Sequence, residues 1–178
     1  MQPVACWAAD QSDISCHFAI RHQVFVEEQG VMVFTDVDDW DRTPGTLHMI
    51  GASGNDMAGT VRLYALDDSG LWKGDRLAVL TSHRASHVGA RLVRFAVATA
   101  AAAGGLVMHA TVQLPNIRFF ERLGWHRDGP AAQHYGLPHQ PMAIDLPGAT
   151  TEQAAIPAFP ELHLPTTHAE SSPLLSAS

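Results

Sequence analysis

Three stretches of the chain hold residues whose types and spacing could do chemistry. The first is LAVLTSHRASHVGARLVRFAV, residues 77–97, where an apolar run meets a loop holding Arg84, His87 and Gly89, and helical character begins at Val88. A helix N-terminus offers unpaired backbone N–H groups and the positive end of the helix dipole, so such a join is an anion site. Gly89 lets a phosphate oxygen approach the backbone with no Cβ in the way, and Arg84 and Arg91 add positive charge. These parts suit a pyrophosphate. The second stretch is NIRFFERLGW, residues 116–125. Amphipathic packing explains its Phe and Leu spacing but not Asn116 at one end and Leu123-Gly124-Trp125 at the other. The third is the acidic run Asp36, Asp38, Asp39 and Asp41. It reads first as a solvated loop, and second as a substrate mouth that attracts a cationic amine.

The histidines invite a metal site, above all His134 and His139 with His126 nearby. Their spacing is not that of a zinc motif and no cysteine joins them, so no metal is expected. Trp40, Trp72 and Trp125 read as core or rim aromatics, because no basic residues interleave with them.

The elements that must position these groups alternate in type. Val4–Ala8 reads as a short strand. Residues 15–29 read as a helix with Phe18, Ile20, Val24 and Phe25 near one face and Gly30 as its stop. Two strands over 46–52 and 57–66 flank a turn at SGND. A short apolar strand over 77–80 precedes an alanine-rich helix over 88–103, closed by Gly104-Gly105. A strand over 106–112, a short helix over 116–123 and a final strand over 142–146 complete the pattern. The fold class is therefore α/β, with a mixed sheet and helices in three layers. Residues 1–146 form the expected domain. Residues 147–178 are rich in Pro, Ala, Ser and Thr without Lys or Arg, and read as a disordered tail, with a docking peptide near 156–164 as the alternative.

Composition excludes some partners. At 178 residues the chain can bury one sizeable core. The net charge of −7 argues against nucleic acid or an anionic membrane surface. Two cysteines without a disulfide framework, no basic-then-apolar leader and no long apolar span point to a cytoplasmic location.

Residues 84–90, RASHVGA, resemble the phosphate loop of the GNAT acetyltransferases, whose pattern is Arg/Gln-x-x-Gly-x-Gly/Ala, and residues 116–125 resemble that superfamily's next motif. With RHQVFVEEQ at 21–29, the acidic run, TLHM at 46–49 and GLWKGDRLAV at 70–79, the chain is most similar to the branch of ElaA-like proteins and the nitrogen-starvation N-acetyltransferases of actinobacteria and cyanobacteria. It resembles acyl-homoserine-lactone synthases more distantly. The likeness covers about residues 15–146 and implies a splayed sheet. It implies acetyl-CoA as co-substrate, with pyrophosphate on the backbone of His87, Val88, Gly89 and Ala90 and with Arg84 and Arg91 beside it. Leu77 and Val79 would lie along the pantetheine and the developing oxyanion, and Asn116 and Phe120 would border the pantetheine arm. The acceptor would be the amine of a small molecule, and a homodimer is an open assembly.

Two positions depart from the pattern. His87 replaces the first loop glycine, and Phe120 stands where many relatives have a tyrosine able to protonate the leaving thiolate. Asp75, Glu28 and His48 are the candidate bases. Tyr135 and Tyr64 are the only phenols, and Tyr135 is the better-placed substitute acid. A non-catalytic acyl-CoA-binding protein and a lactone-signal synthase are the alternative readings.

Overall fold

The computed structural model describes residues 2–147; the expected tail beyond lies outside the described residues. Eight strands form a single sheet in the order β1-β2-β3-β4-β5-β8-β6, with β7 also paired to β8. The strands are β1 (Val4–Ala8), β2 (Leu47–Ser53), β3 (Asp56–Ala65), β4 (Leu71–Val79), β5 (Val107–Gln113), β6 (His126–Arg127), β7 (Ala132–His134) and β8 (Leu137–Asp145). Only β4 and β5 run parallel, and they pair over just three positions, Leu71–Val107 to Lys73–His109. Beyond these the two strands diverge, which opens the expected splay.

Helices cover both faces. Helix α2 (Val88–Ala102) sets Val88, Leu92, Val93, Ala96 and Ala100 against Met49, Val61, Leu63 and Met108. It sits close because Gly51 and Gly59 lie beneath it: a Cβ on either would come within 2.9–3.0 Å of the Val88 or Leu92 side chain. Full burial of a side chain such as Leu92 contributes about 1.5–3 kcal/mol. The short α3 (Ile117–Glu121) joins the same core through Ile117 and Phe120. Helix α1 (Ile14–His22), continued as π-type turns over Gln23–Glu28 to Gly30, covers the other face, where Ile20 and Val24 meet Ala78. Leu77 and Val79 pack toward α2 while Ala78 and Leu80 pack toward α1, as strand alternation requires. Both faces of β3 are therefore covered, and its interior is buried.

Three expectations need correcting. Strand β4 begins at Leu71 and not at 77. The charges at Lys73, Asp75 and Arg76 and the glycine at 74 weaken its strand pattern, but those side chains face polar partners inside the protein. Strand β8 begins at Leu137 and not at 142, so Tyr135 lies in the turn that leads into it. His134 pairs with Leu137 around Tyr135-Gly136, with φ of 50° and 74°, a two-residue hairpin turn of the type whose twist matches paired strands. Pro138 and Pro141 hide that hairpin in the sequence.

The acidic run is not a solvated loop. Asp36 and Asp41 are buried. Arg21 on α1 donates from Nε to Asp36 at 2.5 Å and from both terminal nitrogens to Asp41 at 2.6 and 3.0 Å. Arg62 on β3 donates to both oxygens of Asp38, at 2.5 and 3.0 Å, and Arg76 on β4 reaches Asp38 at 2.8 Å. Three buried guanidiniums between α1 and the sheet need carboxylates to offset their lost hydration, and the acidic run supplies them. Only Asp39 of the four is exposed.

Among the described residues, no helix is long and apolar enough to cross a membrane. Nor does any group of three His, Cys, Asp or Glu side chains there converge as metal ligands.

Candidate active site

The divergence of β4 and β5 opens a cleft of about 320 Å³ that passes through the sheet. On the α2 side it is lined by Val93, Ala96, Asn116, Phe120 and Trp125. On the α1 side it is lined by Lys73, Asp75, Tyr64, Trp40, Thr111 and the hairpin residues His134, Tyr135 and His139. Alternation along the strands sorts the two sides, since Lys73, Asp75 and Thr111 point away from α2 while Met108, Ala110 and Val112 pack toward it. One β3 residue, Val61, faces two β4 residues, Arg76 and Leu77, and Arg76 has φ 50°. This bulge twists β4 away from β5 and turns the strand edge into the gap. From Gly74 onward that edge has no partner strand.

The N-terminus of α2 lies at the far end of β4. His87 caps the helix without a side-chain hydrogen bond, and the first turn holds no acidic residue. The Val88 N–H reaches Ser86 Oγ at 3.3 Å, and the first intrahelical bond runs from Arg91 N–H to His87 O at 3.0 Å. The Gly89 and Ala90 amides come before it, among the N–H groups that a helix leaves without an intrahelical acceptor. A Cβ at Gly89 would meet Val79 Cγ2 at 3.4 Å and Phe119 Cζ at 3.7 Å, ordinary contacts. The fold does not require a glycine here. Arg91 and Arg94 flank a groove with His87 and Gln2 on the outer side of the helix. Arg84 is half exposed and donates to Val79 O at 3.2 Å and to Glu28 Oε2 at 2.5 Å.

The sequence matches the acetyltransferase (GNAT) family over residues 13–125, more than half of the chain. The chain belongs to the GNAT family. It is accordingly an acyl-CoA-dependent acyltransferase. The uncharacterized N-acetyltransferase YjcF of Bacillus subtilis is 28% identical over 142 residues, covering 78% of this chain and 96% of the relative. Among solved structures, Escherichia coli ElaA superposes with a TM-score of 0.69 at 22% identity, covering 80% of this chain and 99% of its own. An aminoglycoside 6'-N-acetyltransferase complexed with coenzyme A superposes with a TM-score of 0.67 at 14% identity, covering 82% and 99%. These two likenesses speak for the fold.

Within this GNAT cleft, the expected acid–base residues fall in different places. Asp75 borders the cleft, but Arg62 Nε and Nη2 hold its two oxygens at 2.8 and 2.7 Å and the Tyr64 hydroxyl donates at 3.3 Å. Both of its oxygens are thus committed to the Arg62–Tyr64 network. Burial, and then the charge of Asp75, push the Tyr64 phenol up, so it stays protonated. Glu28 does not border the cleft. It receives Thr81 Oγ1 at 2.6 Å and Arg84, and the Thr81 hydrogen bond leads in holding its carboxyl below the usual range. His48 is buried behind the sheet against His17, at 3.2 Å, and burial pushes it down to about 4. Tyr135 stands at the mouth of the cleft, its ring 5.7 Å from the Arg76 guanidinium.

Two cleft residues escaped the sequence reading. His134 lies 4.2 Å from the Tyr135 ring, and burial, followed by His139, Lys73 and Arg76, lowers its pKa. The sequence signal was present in QHYGLPHQ, where it suggested only a metal ligand. Lys73 is the other, and its signal is compositional: it is the only lysine in the chain.

Proposed function

We propose that the protein transfers an acetyl group from acetyl-CoA directly to the primary amine of a small molecule. The carrying observation is a cleft through the sheet, walled by Val93, Ala96, Asn116 and Phe120 on the α2 side and by a polar, hairpin-lined chamber on the other, in a fold whose α2 N-terminus has no side-chain cap. Pyrophosphate sits on the amides from His87 to Ala90, with Arg84 and Arg91 beside it. The pantetheine arm runs past Leu77 and Val79 along the free edge of β4, bordered by Asn116 and Phe120. An aminoglycoside 6'-N-acetyltransferase of similar fold is complexed with coenzyme A, which supports coenzyme A as the ligand. The amine enters from the α1 side, gives up a proton and attacks the thioester carbonyl. A β4 backbone N–H stabilises the oxyanion, and collapse of the intermediate expels the thiolate. His134 is the proton acceptor that the geometry favours, neutral and beside the entry; Asp75 positions Arg62. The free thiols Cys6 and Cys16 are consistent with a reducing compartment.

Titration calorimetry with coenzyme A, together with thiol release from acetyl-CoA against a panel of amines, tests this reading. Coenzyme A and its desulfo form are expected to bind alike, because the anchored charge is phosphate, and absence of binding at millimolar ligand would sink the proposal. Binding without thiol release for any amine would favour a non-catalytic carrier, and preference for long acyl chains a lactone-signal synthase.

Phe120 is buried between Phe119 and Trp125, with ring centroids 5.4 Å from each, and can give no proton to the thiolate. A coenzyme A thiol resembles a cysteine, with a reference pKa near about 8.5, so it can depart as the anion. Phe120→Tyr and Tyr135→Phe are therefore both expected to leave the turnover rate within about threefold, whereas loss of a true general acid costs about 10²–10⁴-fold. A drop of that size in Tyr135→Phe alone, with coenzyme A affinity intact, would assign Tyr135 as the acid.

A further inference from the structure

Of the eleven lysine and arginine residues, ten are arginine, and the single lysine lies in the cleft. Lys73 is the last β4 residue paired with β5, opposite His109, so its side chain starts where the splay opens. Its Nζ donates to Thr111 Oγ1 across the gap at 2.7 Å. An ammonium has three N–H donors, and this contact uses one. The neighbouring cations are matched: Arg62 with Asp38, Asp41 and Asp75, and Arg76 with Asp38. Lys73 has no carboxylate within 4.0 Å among the described residues. Burial accordingly pulls its pKa down, with Asp75 opposing.

The position of Lys73 says which ligand would meet it. It shares the α1 side of the sheet with Asp75, Tyr64 and Thr111, opposite the α2 and α3 side proposed above for the cofactor. Beside it, Trp40 stacks on Tyr64 at 4.2 Å and 15°, an apolar wall next to the free cation. The buried ion pairs among the described residues all use arginine. The one lysine, a compact point charge, stands in the cleft with no carboxylate at hand. We infer that Lys73 anchors a carboxylate of the acyl acceptor, so that the acceptor is an amine that also carries a carboxylate, an amino acid or a close analogue. This rests on the acetyl-transfer reading above and narrows its substrate class.

The lone lysine makes the test clean, because protein labelled with ¹³Cε-lysine gives one side-chain signal. With coenzyme A bound, the twenty common amino acids added in groups are expected to move that signal, and their matched decarboxylated amines to leave it in place. In thiol release, amino acids should exceed the matched amines by at least about tenfold in kcat/KM. Lys73→Met should lower kcat/KM for the carboxylated acceptors by about 10–100-fold, in line with a lost charged hydrogen bond. It should leave the coenzyme A Kd and the poor amines unchanged, and Lys73→Arg should restore part of the loss. If Lys73→Met does not fold, the wild-type comparison and Thr111→Val, which frees the ammonium from its one hydrogen-bond partner among the described residues, carry the test. A signal that answers to no carboxylate overturns the inference, as does equal use of matched amines. So does a loss in Lys73→Met shared by all amines, which would make the lysine a base, or a 42 Da gain on Lys73 from acetyl-CoA alone. Failure of coenzyme A to bind at all would instead remove the underlying acetyl-transfer reading.

Discussion

Gly89→Asp is expected to abolish measurable coenzyme A binding while leaving the fold at least as stable as before. The new Cβ has room, at 3.4 Å from Val79 Cγ2 and 3.7 Å from Phe119 Cζ. A glycine inside a helix costs about 0.5–1 kcal/mol relative to alanine, and a carboxylate in the first turn gains about 0.3–1 kcal/mol from the helix dipole. Both effects favour the variant, since α2 begins with no acidic residue in its first turn. The same carboxylate would sit where a pyrophosphate must sit, competing for the amides of Gly89 and Ala90. Like charges about 5 Å apart at an effective dielectric near 20 repel by about 3 kcal/mol, which is more than two decades in affinity. Gly89→Ala separates bulk from charge and should weaken binding by a smaller factor. The observations are a melting curve and a calorimetric titration for each variant. A stable Gly89→Asp that still binds coenzyme A within threefold of wild type would show that α2 does not hold the phosphates.

The contrast between what could and could not be read in the sequence has a physical cause. The start of α2, where pyrophosphate is proposed to sit, was legible because a strand, a loop, a glycine and a helix start are all local signals, and α2 begins at Val88 as the spacing predicts. The second motif was legible for the same reason, with Gly124 at φ 91° ending the turn after α3. The α1 side of the cleft is built from side chains that meet across long separations. Arg21 and Asp41 are twenty residues apart, Arg62 and Asp38 twenty-four, and Lys73 and Thr111 thirty-eight. No local pattern reveals such pairs. The charged residues that make them also disguised β4 as a loop and the acidic run as a solvated surface. Glu28 was one of three candidate bases that no sequence context singled out, and only the packing shows it tied to Thr81 and Arg84.

The same buried network is expected to make the protein unfold in mild acid, with a midpoint of about pH 4–5. His17 and His48 are both buried, at 0% and 3% exposure. The His17 Nδ1–H donates to Met49 O at 3.1 Å, so its Nε2 carries the lone pair that accepts from His48 Nδ1 at 3.2 Å. The His17 ring is therefore neutral. Burial, the leading cause for each, pushes His17 down to about 2 and His48 down to about 4. Once unfolded, each histidine takes up a proton near about pH 6.5. Below that pH the unfolded state binds more protons than the folded one, so stability falls as pH falls, until the folded values are reached. Each unit costs about 1.4 kcal/mol per histidine. By pH 4.5 the two together cost about 5 kcal/mol, against a total stability of about 5–15 kcal/mol for a domain. The carboxylates act lower. Burial raises the Asp41 pKa, but the Arg21 hydrogen bond and charge outweigh it and leave the group well below the usual carboxylate range. Its stabilisation is present above the unfolded value of about 3.9 and is lost only as pH falls toward the folded one. His48→Gln keeps a donor toward His17 but cannot titrate, so it should move the midpoint down by about one pH unit. Circular dichroism across pH 3–8 reads both proteins. A wild type that stays folded at pH 3, or a His48→Gln midpoint equal to that of wild type, would mean that the buried histidines do not set the acid limit.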